Sequence, residues 1–144
     1  MRAGRRAGFS LERVAVNLQD ARIPDNRGAQ PVDRPVVRGG PVAYWSTLPV
    51  KAIVARLNRA GLAASVSQTA GTFVCNHVFY LLMHALRRSR RTRGGFVHVP
   101  WLPGQGGPDE PAMELDRMVD AMAAVIATAL AVRRDARTPG GATH

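Results

Sequence analysis

Between residues 8 and 100 the chain alternates short β-type runs with one-faced helical runs. Leu11–Asn17 (LERVAVN) places Leu11, Arg13 and Ala15 against Glu12, Val14 and Val16, and its β-branched content predicts a strand with Glu12 at its edge. From Leu18 to Thr47, prolines at 24, 31, 35 and 41 and glycines at 28, 39 and 40 forbid a long regular element. Val36–Arg38 and Val42–Trp45 remain as short extended pieces in a long loop. Ser46 or Thr47 then fits a helix cap with Pro49 in the first turn; Val50, Ile53, Val54 and Leu57 share a face, and Gly61 stops the helix.

Ala63–Gln68 reads as a second strand, Thr69–Thr72 as a tight turn, and Cys75 to Arg88 as a helix. Gly94 and Gly95 precede a strand from Phe96 to Val99, which Pro100 ends. After a loop from Trp101 to Asp109, a helix is expected from Pro111 to Arg134, with Leu115, Met118, Val119, Met122, Val125, Ile126 and Leu130 as its apolar stripe. The methionines fit core filling. Strands alternating with helices predict an α/β fold with a largely parallel sheet. The 144 residues fit one domain, with residues 136–144 as an aperiodic, flexible tail.

Ala121–Val132 is the longest nearly uncharged apolar run; its 12 residues fall short of the about 20 that a bilayer demands. The basic start, Met1–Arg6, is followed by Glu12 and Arg13 before any apolar signal-peptide core develops, so a cytoplasmic protein with no membrane partner is expected. The formal charge is +10, but Lys51 is the lone lysine among 20 basic residues. Such a skew toward arginine follows from base composition as readily as from an anionic partner. The cluster Arg87, Arg88, Arg90, Arg91 and Arg93 falls where a helix should end, and cations complement the negative end of the helix dipole. With no aromatic platform beside it, nucleic acid is not the expected partner.

A single cysteine, Cys75, excludes an internal disulfide. Most lone cysteines are small buried hydrophobes, and composition alone favours that reading. The competing reading is a nucleophile at a helix start, where the N-terminal N–H groups favour a thiolate. Of the four histidines, His77 and His84 lie about half a turn or more around the helix from Cys75 at about 100° per residue. His144 is in the tail. His98, on a strand before a loop, is left as the candidate base, and Glu12 as the carboxylate that orients it.

The segment Ser65-Val66-Ser67-Gln68-Thr69-Ala70-Gly71-Thr72-Phe73-Val74-Cys75-Asn76-His77 resembles the nucleophile segment of the pyroglutamyl peptidase I family of cysteine peptidases. Glu12–Asn17 with Asp20–Asn26 resembles the family's acidic segment, and Gly95–Pro103 its histidine segment. The resemblance implies a triad of Cys75, His98 and Glu12. It also implies a three-layer α/β/α sandwich around a twisted, mostly parallel sheet, and no metal or organic cofactor. The implied reaction removes N-terminal pyroglutamate from peptides. Arg22 resembles an arginine that assists the oxyanion, and Ile23 and Val74 resemble residues lining a lactam pocket.

The chain departs from the family pattern at Arg2 and Arg5, where Gln and Gly are usual, and at Gly104, where a glutamate is usual. It also lacks the family's N-terminal region with its aromatic clamp, so an N-terminally truncated domain is expected: a start placed too late or a truncated gene, ahead of an evolved minimal peptidase. Loss of neighbouring strands would leave an apolar edge and favour a homo-oligomer. Two alternatives to a peptidase follow: an inactive remnant acting at most as an interaction or oligomerising protein, and a basic protein that binds nucleic acid with strong salt dependence.

Overall fold

The computed structural model describes residues 8–107 and 110–140. The departures at Arg2 and Arg5, the end of the loop at Pro108 and Asp109, and His144 with the last tail residues lie outside the described residues. The elements are β1 (Phe9–Glu12), β2 (Val14–Val16), β3 (Ala43–Trp45), α1 (Val50–Arg59), β4 (Ala64–Ser67), α2 (Val74–Leu86), β5 (Phe96–His98) and α3 (Leu115–Ala131). This is the α/β class expected. Among the described residues no helix is long and apolar enough to cross a membrane. The chain divides into two compact units, Met1–Leu11 with Pro49–Val66 and Val97–His144, and Glu12–Leu48 with Ser67–Phe96.

The first unit carries most of the three-stranded sheet, ordered β4-β1-β5. Phe9 N–H donates to Ala63 O and, four residues on, Arg13 N–H donates to Ser67 O, so β1 and β4 advance together as a parallel pair. Gly8 permits this approach: a Cβ there would meet the Ala63 carbonyl oxygen at 2.0 Å. Phe9 and Leu11 are buried with Val50, Ile53 and Leu57, the apolar face of α1, and Gly61 ends that helix at φ +72°.

Neither Ser46 nor Thr47 caps α1. Pro49 occupies the cap position without a side-chain hydrogen bond, and Asp135 supplies the missing acceptors, taking Lys51 N–H at 3.1 Å and Ala52 N–H at 2.9 Å. A carboxylate on those donors contributes about 1 kcal/mol. The Lys51 ammonium also donates to Thr138 O, so the chain is tied to α1 at Asp135, just before the expected flexible tail of 136–144, and again at Thr138 within it. The stripe read for α3 is wider than the surface that buries it. Ala121 and Val125 are buried and α3 packs on α1, whereas Leu115, Val119, Ile126 and Leu130 are exposed.

In the second unit the strand expected over Leu11–Asn17 breaks at Arg13. Arg13 N–H serves Ser67 O while its carbonyl accepts from Ser46 N–H, and beyond it β2 pairs antiparallel with β3, Ala15 opposite Tyr44. Val36–Arg38 is not a strand. The Asn17 side chain takes the place of a partner strand there, accepting from Val37 N–H at 2.8 Å and donating to Val37 O at 2.9 Å. Thr47, expected as a cap, is instead bound to Gly94, donating to and accepting from its backbone.

α2 runs from Val74 to Leu86, one residue earlier at its start and two shorter at its end than expected, and Arg87 at its C-terminus donates to His84 O. The core it forms contains Ala15, Ala70, Phe79, Tyr80 and Met83. One side chain fixes α2 on β2: fully buried Asn76 accepts from Val16 N–H at 2.9 Å and donates to Val16 O at 2.9 Å and Leu18 O at 3.0 Å. Tyr80 donates to Pro41 O at 2.6 Å and packs against Tyr44, ring centroids 5.0 Å apart. A Cβ at Gly40 would come within 2.7 Å of the Tyr80 hydroxyl, so this contact demands glycine.

Two predictions follow from this unit. Asn76→Ala orphans three backbone groups and should cost about 3 kcal/mol, read as a lower urea midpoint at unchanged slope. Asn76→Asp should be no milder, because it retains one acceptor but removes both donors. Burial, and then the Tyr44 phenol beside it, raise the Tyr80 pKa above 10.0. The folded state therefore holds this proton more tightly than the unfolded state, so the contribution is complete below pH 10.0 and lost as pH climbs through the raised value. Tyr80→Phe should flatten that alkaline loss of stability while lowering stability at neutral pH.

Candidate active site

Cys75 is the second residue of α2, half-buried and packed against the core of the second unit. The turn before it is built from short polar side chains. Ser67 Oγ donates to Thr69 O, Thr69 Oγ1 accepts from Gly71 N–H, and Gly71 takes φ +83°, a conformation that suits glycine. Thr72 then locks the turn to the Pro-rich loop: its hydroxyl donates to Asp20 O while its carbonyl accepts from Asp20 N–H. Phe73 at the cap position is extended and makes no side-chain cap. No acidic residue stands in the first turn of α2 and its cap position makes no side-chain hydrogen bond.

Beside this helix start, within the same unit, lies a cavity of about 460 Å³. Ile23, Pro24, Phe73 and Val74 give it apolar walls, and Gln19, Asp25, Asn26, Thr72 and His77 give it polar ones. The loop wall is held by the reciprocal backbone pair of Gln19 and Arg34, by Ala21 N–H on Pro31 O, and by Asp25, whose Oδ1 accepts from Arg27 N–H and Ala29 N–H.

The structure thus brings Ile23 and Val74 to one cavity. Arg22, between Ala21 and Ile23 in sequence, is exposed. Glu12, at the end of β1, is fully buried rather than displayed on a surface. Glu12 and Cys75 belong to the second unit, whereas His98, half-buried at the end of β5, belongs to the first. His84, facing away from the thiol in the helical reading, is held by the Tyr44 hydroxyl at 2.9 Å. The Gln19–His77 pair, 2.8 Å apart, is the feature that sequence reasoning missed. Helical spacing places His77 away from Cys75, and nothing local in the sequence links it to a residue 58 positions earlier.

A mixed α/β domain with a lone cysteine opening a helix, next to a cavity with apolar and polar walls, has the make-up of a thiol hydrolase. The comparisons with known proteins narrow this class. The family profile described as pyroglutamyl peptidase matches residues 1–132, and the chain belongs to that family. It is 58% identical over 144 residues to the pyrrolidone-carboxylate peptidase of Erwinia tasmaniensis and 56% identical to that of Klebsiella pneumoniae, covering 99% of this chain and 67% of each relative. Among solved structures, pyroglutamyl peptidase I from Bacillus amyloliquefaciens superposes with a TM-score of 0.88 at 46% identity, over 96% of this chain and 67% of that one. The pyrrolidone carboxyl peptidase of Thermococcus litoralis gives 0.86 at 35% identity, over 92% and 66%. The chain spans about two thirds of the length of the relatives it matches.

The turn before Cys75 can be tested directly. A Cβ at Gly71 would meet no atom within 4 Å, so Gly71→Ala isolates the conformational cost of its positive φ. We expect a loss of about 1 kcal/mol in urea unfolding, together with faster alkylation of Cys75 as the helix start loosens.

Proposed function

We propose that this chain is a cysteine peptidase that removes N-terminal pyroglutamate from peptides. The observation that carries this reading is the position of Cys75 at the start of α2, in a chain matched to the pyroglutamyl peptidase family over residues 1–132. In the proposed mechanism Cys75 Sγ attacks the pyroglutamyl carbonyl carbon, and His98 takes the thiol proton. Glu12 orients the imidazole and balances its charge. The tetrahedral oxyanion is met by N–H groups of the first turn of α2, with Arg22 assisting. As the intermediate collapses, the carbon–nitrogen bond breaks, His98 returns the proton to the leaving amine, and a thioester to Cys75 remains. Water, deprotonated by His98, cleaves the thioester to pyroglutamate and free thiol. Ile23 and Val74, the apolar cavity walls, hold the neutral lactam.

The reading includes a cytoplasmic location and self-association. Exposed Val42 and Trp45, at 85% and 68%, support the latter as apolar surface flanking and ending β3. The inactive-remnant reading has no observation that favours it over the peptidase.

Turnover of a fluorogenic pyroglutamyl amide tests the assignment. Cys75→Ser and His98→Ala should each lower kcat by roughly ten-thousand-fold or more, and Glu12→Gln by about a hundredfold, since a positioning carboxylate is more dispensable than nucleophile or base. Full activity in Cys75→Ser would sink the mechanism.

A further inference from the structure

The cavity beside α2 is larger than a single five-membered lactam requires, and its walls are of two kinds. The apolar wall suits the ring. The polar wall has a definite hydrogen-bonding sense, fixed by bonds already made. Gln19 Nε2 donates to Pro35 O at 3.0 Å, so Gln19 Oε1 is the atom facing His77, and His77 Nδ1 must carry the hydrogen that joins them. In the neutral imidazole the remaining nitrogen, Nε2, is then an acceptor. Both polar groups of the Gln19 side chain are committed and have little to offer a ligand. Asp25 is pinned through Oδ1 by two backbone N–H groups at 2.8 and 2.9 Å, and those bonds leave Oδ2 uncommitted. Asp25 is also the cavity's one formally charged residue among the described lining, an anion on a chain of net charge +10.

We propose that this polar wall receives the residue following the pyroglutamyl group, and that Asp25, with His77 Nε2, selects a cationic or N–H-donating side chain at that second position. The proposal rests on the peptidase reading, which assigns the lactam to Ile23 and Val74. Its physical content is that Asp25 Oδ2 and His77 Nε2 are both acceptors, whereas the Asn26 carboxamide, which also lines the cavity, is uncharged and can serve either kind of side chain. A lysine or arginine side chain is met by charge and hydrogen bond, whereas a glutamate is met by an anion and a lone pair. Asp25 is exposed, so the discrimination is modest, of the size of a solvated ion pair.

The test is binding by the Cys75→Ser chain, followed by calorimetry, of pyroglutamyl-lysine amide, pyroglutamyl-alanine amide and pyroglutamyl-glutamate amide. We expect the affinity order lysine, alanine, glutamate, with the lysine peptide about two- to fivefold tighter than the glutamate peptide, and high salt should shrink the ratio. Asp25→Asn retains the Oδ1 acceptor for the turn and removes the charge, and should bring the ratio close to one. Equal affinities for the three peptides would overturn the proposal and leave the peptidase reading standing. A ratio unchanged by salt and by Asp25→Asn would overturn the assignment to Asp25. Binding of none of them, the alanine peptide included, would overturn this proposal together with the lactam site on which it rests.

Discussion

The carboxamide of Asn76 is the constraint on which the second unit depends. A helix lying on a two-stranded sheet has apolar contacts to hold it but little to fix its rotation, because apolar packing is non-directional. Three hydrogen bonds from one buried side chain to the backbone of Val16 and Leu18 set both rotation and height at once. Cys75 and His77 flank that anchor in sequence, so the position of the thiol and of the cavity's imidazole follows from it. The same device recurs. Asn17 grips the backbone of Val37 and Gly40, and Asn58 exchanges two hydrogen bonds with Ala64, joining the end of α1 to the start of β4. A chain with short strands uses side-chain amides where longer strands would use a ladder.

What the sequence made legible was governed by short-range rules. The apolar face of α1, its stop at Gly61, and the strand, turn and helix order around Gly71 all depend on residues within one or two turns of each other. What stayed hidden was decided over long separations. Asp135 caps α1 in place of Ser46 or Thr47, and the Asn17 side chain pre-empts a strand at Val36–Arg38. For α3, periodicity reports only that a face is apolar, not how much of it finds a neighbour.

The site shows the same division. Cys75 at a helix start was reachable from local pattern, and Ile23 and Val74, singled out by family resemblance alone, line one cavity. Glu12 is more deeply buried than its place in an alternating run implied, because β1 is buried along its whole length rather than on one face. The partnership of Gln19 with His77 had no local signature. A helical wheel asks only which residues share a face with the thiol, and it reports nothing of a partner 58 positions away.

The cap on α1 has a consequence for the order in which the protein is made. The N–H groups of Lys51 and Ala52 leave the ribosome long before Asp135, which lies 84 residues after Lys51. While those 84 residues are being made α1 therefore carries open donors at its first turn, and the carboxylate that closes them arrives only after α3. Vectorial synthesis thus makes α1 an element whose first turn closes well after it has been translated, since its final form waits on the residues just beyond α3.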